Sequence, residues 1–490
     1  MISFISFTEF ILSLCAMYVV FIIGKNKMMY WNLRKQMPFV PSKQPWYKTL
    51  LFGNALDLKN EAMHSHLGHV FVQWHKQMDA DIFGYNLLFM PRVYVFDKDL
   101  VSLIATSKHT VEFVKPADMR AFFPENTHGL LILEGQDHYN AKKKLQPFFQ
   151  QDAFQAEYPM ILNKAMTLAA DLKDKDHISV KPLLKKCMLE LIVKIAFDYD
   201  LKDPRVSNKF EQVLNSGEFS IGQMLKIAFP VLSKLPLASN RARMEAVQVI
   251  FGHIDAVINQ RLQDNTAPKN DLLSKIMEIT DFSKRPKEQL QQLREMIITF
   301  MGAGHETTTT TLTWALFELA KNPEIQQKLR DEIKYKVDKH EPTWDELHSM
   351  TYLEHVVMEV LRLHTPLMNV SRRATKDLIF KEYYFPKDTV FIVAVDGRHM
   401  DADLFENPEK FDPGRWGKMG HEEPYSYLPF WTGFRQCIGK QLALVEIKAI
   451  LAVLVMKLDL KMDENSEMDV QYTITQRPKE LVLTTHEVEE

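Results

Sequence analysis

The loop around Cys437 contains the residues best suited to chemistry. From Pro429 to Gly439 it reads PFWTGFRQCIG, so a single cysteine lies between two glycines and two residues after Arg435. Glycine permits a tight loop in which backbone N–H groups point at the sulfur, and these donors, with the start of a following helix, favour a thiolate. Such a thiolate is a suitable axial ligand for haem iron, and Arg435 could pair with a haem propionate. An isolated cysteine would more often be a small buried apolar residue.

A second unusual segment lies inside the apolar helical pattern of residues 293–319. It reads GAGHETT from Gly302 to Thr308, which places His305 and Glu306 in the middle of an apolar helix. Burying such groups costs free energy, so their presence needs a reason. Five successive threonines, residues 307–311, lower helix propensity and can hydrogen-bond back to carbonyls. We therefore predict a bent helix with an opened turn at this segment.

Both segments resemble motifs of the cytochrome P450 family. Six residues match its haem-binding loop position for position: Phe430, Gly433, Arg435, Cys437, Gly439 and Ala443. With two further motifs in the correct order, the resemblance extends from the N-terminus to about Thr485. It implies a mainly α fold with small β-sheets, the cytochrome P450 fold, behind an N-terminal transmembrane helix. It also implies haem b as the cofactor, with Cys437 as the ligand of its iron and Phe430 and Gly439 beside it.

The resemblance implies roles for the long helix. In the family, an acid–alcohol pair in this helix delivers protons, and Gly304, Glu306 and Thr307 match that motif. We expect Thr307 to orient and hydrogen-bond the oxygen at the haem and Glu306 to deliver protons, with no catalytic role for His305. Ala303 stands where some fatty-acid hydroxylases of the family carry a glutamate that esterifies the haem, so a covalent haem link is not expected.

Three further residues are expected to bind the haem propionates. The family usually has Trp and then Arg, one turn later, in a helix that crosses the haem edge. His138 and Lys142 occupy those places and share one helix face. The lysine ammonium is a compact point charge, whereas the arginine guanidinium offers two parallel donors to a carboxylate. The contact of Lys142 with a propionate should therefore be weaker. In the segment SRRATKD, we favour Arg372 over Arg373. Residues 142–144 form either a solvated face or a basic patch for an acidic redox partner.

A structural brace and a substrate pocket complete the expected site. Glu359 and Arg362, three apart on one helix, can form an ion pair, and the family motif adds a downstream arginine, for which we name Arg415. The substrate pocket is expected to be apolar and to contain Phe122, Phe123, Ala303, Leu367, Val370 and Ile474 beside Thr307.

Periodicity gives the elements that must position these residues. Alternation over 85–96 predicts a short hairpin, and further strands are predicted at 378–380, 390–395 and 481–485. Helical spacing of apolar residues predicts helices over 154–172, 183–197, 241–262, 286–321, 323–337 and 351–363.

The N-terminus predicts a membrane anchor. Residues 10–23 carry no charge, and the apolar stretch up to Gly24 just reaches the roughly 20 residues that a membrane-spanning helix needs. The basic residues that follow favour a cytosolic body. We expect an anchor at 1–24 in the endoplasmic reticulum membrane, a basic, proline-containing hinge at 25–48, and a haem-binding catalytic domain at 49–490 facing the cytosol. A cleaved secretory peptide is the alternative.

Composition restricts the function. The net charge of −3 gives no basic field for nucleic acid, and Cys15, Cys187 and Cys437 are too far apart for a disulfide framework or a zinc site. A Gly-rich dinucleotide fingerprint is missing, so electrons should come from a separate NADPH-dependent reductase, with cytochrome b5 as a further donor. The resemblance to the cytochrome P450 family implies an activity that inserts one atom of O2 into a small lipophilic substrate. The alternatives are a haem-thiolate isomerase or dehydratase acting on a hydroperoxide, and a non-catalytic haem carrier or sensor.

Overall fold

A computed structural model describes residues 2–62, 67–106, 112–116, 128–216, 218, 220–263, 271–280, 286–337, 341–418, 424–463 and 469–488. Helices dominate this part of the chain. They are α1 (Ile2–Arg34), α2 (Trp46–Phe52), α3 (Ala55–Ala62), α4 (Leu67–Met78), α5 (Lys98–Thr106), α6 (Gly135–Leu145), α7 (Tyr158–Leu172), α8 (Lys181–Phe197), α9 (Arg205–Asn215), α10 (Ile221–Ala228), α11 (Ala238–Gln263), α12 (Leu272–Ile279), α13 (Pro286–Lys321), α14 (Pro323–Lys336), α15 (Trp344–Ser349), α16 (Thr351–Leu363), α17 (Val395–His399) and α18 (Lys440–Lys457).

The strands form small sheets. They are β1 (Ile82–Leu87), β2 (Met90–Val95), β3 (Phe113–Val114), β4 (Lys175–Ser179), β5 (Asn369–Ala374), β6 (Leu378–Phe380), β7 (Tyr383–Phe385), β8 (Val390–Ala394), β9 (Leu458–Met462), β10 (Val470–Tyr472), β11 (Gln476–Pro478) and β12 (Val482–Glu487). The largest sheet has the order β1-β2-β8-β5-β3, a second has the order β4-β12-β9, and β6–β7 and β10–β11 are two-stranded. The fold is therefore mainly helical with small sheets, as predicted.

Helix α13 runs through the main core. Residues 293, 296, 297, 300 and 301 are apolar and buried, and this spacing aligns them on one face. The helix packs against α8, α11, α16 and α18. Gly304 allows the approach of α8, because a Cβ at this position would lie 2.7 Å from Cγ1 of Ile192. The core thus fixes α13 along most of its length.

The prediction of an opened turn in α13 is wrong. The helix is continuous from Pro286 to Lys321, although the threonine hydroxyls do bond back to carbonyls, as Thr307 does to Ala303 at 2.9 Å and Thr311 to Thr307 at 3.0 Å. These bonds add to the backbone ladder without replacing it, so the helix remains intact.

The C-terminal end of α1 packs against the five-stranded sheet. Met29 and Leu33 are buried in one apolar cluster with Ile82 and Val93, and Lys25 forms an ion pair of 2.8 Å with Asp388. The helix continues past the expected anchor boundary at residue 24. Within the described residues, no helix combines the length and apolarity that crossing a membrane requires.

Candidate functional site

The loop before α18 has a fixed backbone. Gly433 has a φ of +66°, and a Cβ there would clash with the carbonyl oxygen of Ala105, so the position requires glycine. The Cys437 N–H donates to the Phe430 carbonyl oxygen at 2.9 Å, which closes the loop. Gly439 is the N-cap of α18. The cysteine is thus held between a turn and a helix N-terminus.

The Cys437 thiol faces an enclosed space. Its surface is accessible, yet burial raises the pKa of the thiol, while the Gly439 N–H and the ammonium groups of Lys142 and Lys440 lower it. We infer that the thiol lines an internal cavity, because it is accessible although protein surrounds it on most sides. Burial is the largest effect, whereas the Gly439 N–H acts in the expected direction and favours the thiolate. Binding to a metal ion deprotonates a coordinating thiol outright.

Four cations lie near His138, whose ring packs edge-on against Phe434 of the cysteine loop. Burial, and then Arg435, Lys115, Lys142 and Arg372, lower the pKa of His138 to about 2, so the imidazole is neutral. Burial is also the largest cause that lowers the pKa values of Lys115 and Arg435. It likewise lowers the pKa of Arg372, to about 10. In the described part of the chain, Glu134 is the carboxylate that raises the pKa values of these three groups. The cluster therefore has surplus positive charge.

The arginines in and beside this cluster have different partners. Arg435 donates to Leu133 O at 2.9 Å and pairs with the Glu134 carboxylate. Arg372 is buried on β5 and lies over the Trp431 ring, whereas Arg373 pairs with Asp388.

The two residues named on α6 differ in their contacts. Lys142 donates to the carbonyl oxygens of Phe434 and Gln436 at 2.7 Å each, so it meets the cysteine loop rather than an acid. His138 Nδ1 is buried and has no hydrogen-bond partner among the described residues.

These residues fit haem. Surplus cations and a buried imidazole nitrogen without a partner suit the two propionate carboxylates that haem carries, because charge-assisted hydrogen bonds to carboxylates are strong. The enclosed thiol beside them suits the iron. Arg372, Arg435, Lys115 and His138 would hold the propionates, and Cys437 the metal.

The acid–alcohol pair of α13 lies in contrasting surroundings. Thr307 is half-buried and Ala303 is exposed, although α13 is a core helix, so this face also borders a cavity. Glu306 is buried and bonds to Arg477 of β11 at 2.7 Å and to the Thr475 hydroxyl at 3.3 Å. The His305 Nδ1–H donates to Met301 O at 2.8 Å, and the ring packs against Phe210.

The expected brace residues meet in the core. Arg362 bonds to both carboxylate oxygens of Glu359, at 2.9 and 3.0 Å, and Arg415 bonds to Oε1 at 2.9 Å. The Trp416 indole and the Asp412 N–H also donate to Glu359 at 3.0 Å. Five donors therefore satisfy one buried carboxylate, as a buried charge requires.

The described pocket residues come from neighbouring elements. Leu367 is exposed, and Val370 and Ile474 are half-buried. The hairpin β10–β11, which carries Ile474, is tied to Pro366 O by the Gln476 N–H at 3.0 Å. Phe122 and Phe123 lie outside the described residues.

Sequence reasoning missed Lys115, Glu134, Thr475 and Arg477. A usable signal existed for Arg477, because a carboxylate predicted inside an apolar helix needs a cation near it. Which of the chain's 60 basic residues supplies that cation depends on tertiary packing.

Comparison with known proteins identifies the family of this chain. The family model described as Cytochrome P450 matches residues 43–485. The chain is 27% identical to "Cytochrome P450 3A29" of Sus scrofa over 416 residues, 80% of this chain and 82% of the relative. It is 28% identical to "Taurochenodeoxycholic 6 alpha-hydroxylase" of Sus scrofa, covering 76% and 77%, and 24% identical to "Cytochrome P450 6a2" of Drosophila melanogaster, covering 93% of each. The chain is therefore a member of the cytochrome P450 family, a monooxygenase that binds haem iron through a cysteine thiolate.

Proposed function

We propose that this enzyme inserts one atom of O2 into a small lipophilic substrate, with Cys437 as the axial ligand and electrons from an NADPH-dependent reductase. The observation that carries the proposal is the accessible Cys437 in a loop whose Arg435 pairs with Glu134 and lies near Arg372, Lys115 and His138. That combination matches a metal bound to a dianionic group better than it matches a packing cysteine. Cys187 lacks this setting, since burial raises the pKa of its thiol to about 12.

Bound haem would supply the oxygen chemistry, with a thiolate that favours cleavage of the O–O bond. The protein's own groups bind, orient and move protons. The Thr307 hydroxyl donates to Ala303 O, so its oxygen lone pairs stay available to accept a hydrogen bond from the cavity. Glu306 Oε2 is buried and has no hydrogen-bond partner within the described ranges, so this oxygen can take up and release a proton.

The substrate class follows from the pocket. Ala303, Leu367, Val370 and Ile474 are apolar, and they give a substrate hydrophobic contact while excluding water. One relative is named as a hydroxylase of a taurochenodeoxycholic substrate, which supports hydroxylation as the reaction.

Membrane association is part of the proposal. We place an anchor at 1–24 in the endoplasmic reticulum membrane, a hinge at 25–48 and a cytosolic catalytic domain at 49–490. The large apolar side chains of Trp46, Tyr47, Leu50 and Leu51 on α2 are more than half exposed. Phe52 and the buried Met224 of α10 belong to one apolar cluster, so α2 and α10 would lie against the bilayer together.

The reduced carbon-monoxide difference spectrum of the full-length protein tests the proposal. We expect the strongly red-shifted Soret band of thiolate-ligated haem in the wild type and in Cys187→Ser, and its loss in Cys437→Ser. A band typical of histidine-ligated haem in the wild type, or a red-shifted band that survives in Cys437→Ser, would contradict the assignment of Cys437.

A further inference from the structure

We propose that Lys142 is a positioning residue that fixes the orientation of the Cys437 loop, and that it does not anchor a haem propionate. The inference rests on the proposed function in one respect, namely that Cys437 is the iron ligand.

The first argument is the direction of the side chain. Lys142 lies on α6 and is buried. Its ammonium group donates to Phe434 O and Gln436 O at 2.7 Å each, and it lies 5.6 Å from the centre of the Phe434 ring. Two of its three N–H donors are therefore committed to the backbone of the loop.

The second argument is the peptide that these bonds restrain. The carbonyl of Gln436 and the N–H of Cys437 belong to the same planar peptide unit. Lys142 binds the carbonyl end at 2.7 Å, and Phe430 O accepts from the N–H end at 2.9 Å. This peptide unit is thus held at both polar ends, and its plane sets the direction in which the Cys437 side chain leaves the backbone.

The third argument is chemical. A compact ammonium group with rotatable donors can serve two carbonyls that point toward one spot, whereas the planar guanidinium fork matches a carboxylate. Lys142 acts on His138 together with Arg372, Arg435 and Lys115, but these three remain for the propionates because Lys142 already binds the two loop carbonyls. The positive charge of Lys142 also acts on the Cys437 sulfur, so the same residue favours the charged form of the ligand that it positions.

The test compares Lys142→Met with Lys144→Met, which removes an exposed charge from the same helix. Each protein is assayed for haem content and for its reduced carbon-monoxide spectrum. In Lys142→Met we expect the ratio of thiolate-ligated to thiolate-free haem to fall by about tenfold or more, since one charge-assisted hydrogen bond is worth about that factor. Haem content should stay near the wild-type value. Lys144→Met should match the wild type, and Lys142→Arg should recover part of the thiolate band.

Two results would overturn the inference. Lower haem content with an unchanged thiolate fraction would make Lys142 a propionate anchor, and no change beyond that of Lys144→Met would remove its role. If Lys142→Met does not accumulate, Lys142→Gln, which keeps a neutral donor, must show a reduced thiolate fraction for the inference to hold. A wild-type protein without a thiolate band would instead contradict the proposed function itself.

Discussion

The Arg477 guanidinium donates a hydrogen bond of 2.7 Å to the Glu306 carboxylate, and both side chains are buried. Burial raises the pKa of Glu306, but Arg477, His305 and Lys185 together lower it below its ordinary value. The carboxyl group that we propose for proton delivery is therefore ionised at neutral pH. Arg477 also bonds to Gln471 at 3.1 Å and to the Asn215 side chain, so the C-terminal hairpin and α9 together hold this carboxylate.

Replacing Arg477 by leucine should destabilise the protein by about 3–5 kcal/mol, because it leaves the Glu306 charge buried and unpaired. The free energy of unfolding in denaturant measures the effect. Lys479→Met, which removes an exposed ion pair with Asp469 from the same hairpin, should change little. Adding Glu306→Gln to Arg477→Leu should restore part of the loss, because the carboxylate charge that lost its arginine partner is then removed. Simple addition of the two single effects would show that the residues are not coupled.

Thr307→Val should separate oxygen consumption from product formation. The variant keeps the helix and the side-chain shape but removes the hydroxyl at the cavity, so the yield of product per NADPH should fall about tenfold or more while hydrogen peroxide rises. Thr311→Val is the control, since its hydroxyl also bonds back to a helix carbonyl, at 3.0 Å, but is buried. A hydroperoxide isomerase or a haem sensor would hardly respond to Thr307→Val, so an unchanged activity would favour one of those alternatives.

Gly304→Ala should destabilise the contact between α13 and α8. The added methyl group would lie 2.7 Å from Ile192 Cγ1, and overpacking of this kind costs about 1–3 kcal/mol. Gly302→Ala is a matched control on the same helix, because its nearest neighbour is at 3.7 Å; it should be neutral or stabilising by up to about 1 kcal/mol. Thermal unfolding distinguishes the two. Ile192→Ala combined with Gly304→Ala should remove the clash, and equal effects of both glycine substitutions would contradict this explanation.

Asp396 should make stability depend on pH. Burial raises its pKa to about 7, although the Gly397 N–H opposes this. Between about pH 4 and pH 7 the folded state then keeps a proton that the unfolded state has released, so stability should fall as the pH rises through this range and level off above it. Asp396→Asn should remove this slope and be the more stable protein at pH 8.

The unfolding midpoint as a function of pH measures this effect. The exposed Asp176 provides the control, because Asp176→Asn should keep the slope. A flat profile in the wild type would contradict a protonated Asp396.

The sequence predicted the elements well where a residue that starts or ends a helix coincides with the helical spacing of apolar residues. Pro286 and the apolar face of α13 defined a helix that the structure reproduces at both ends, and the family motifs brought Glu359, Arg362 and Arg415 together. The spacing of His138 and Lys142 correctly predicted that they share the buried face of α6, but spacing gives a face and not a partner. The pairing of Arg477 with Glu306 and the pKa of Cys437 depend on burial, which only the packed chain determines.

The docking of α1 on the sheet limits how far the N-terminus of the protein can be shortened. Cutting the chain at Pro38, just after the last helical turn, would remove Met29 and Leu33 from the cluster that covers Ile82 and Val93. It would also remove the Lys25 partner of Asp388, which sits beside the strand that carries Arg372. The safe deletion endpoint is therefore near Gly24, and a trimmed protein that begins later should lose haem more readily.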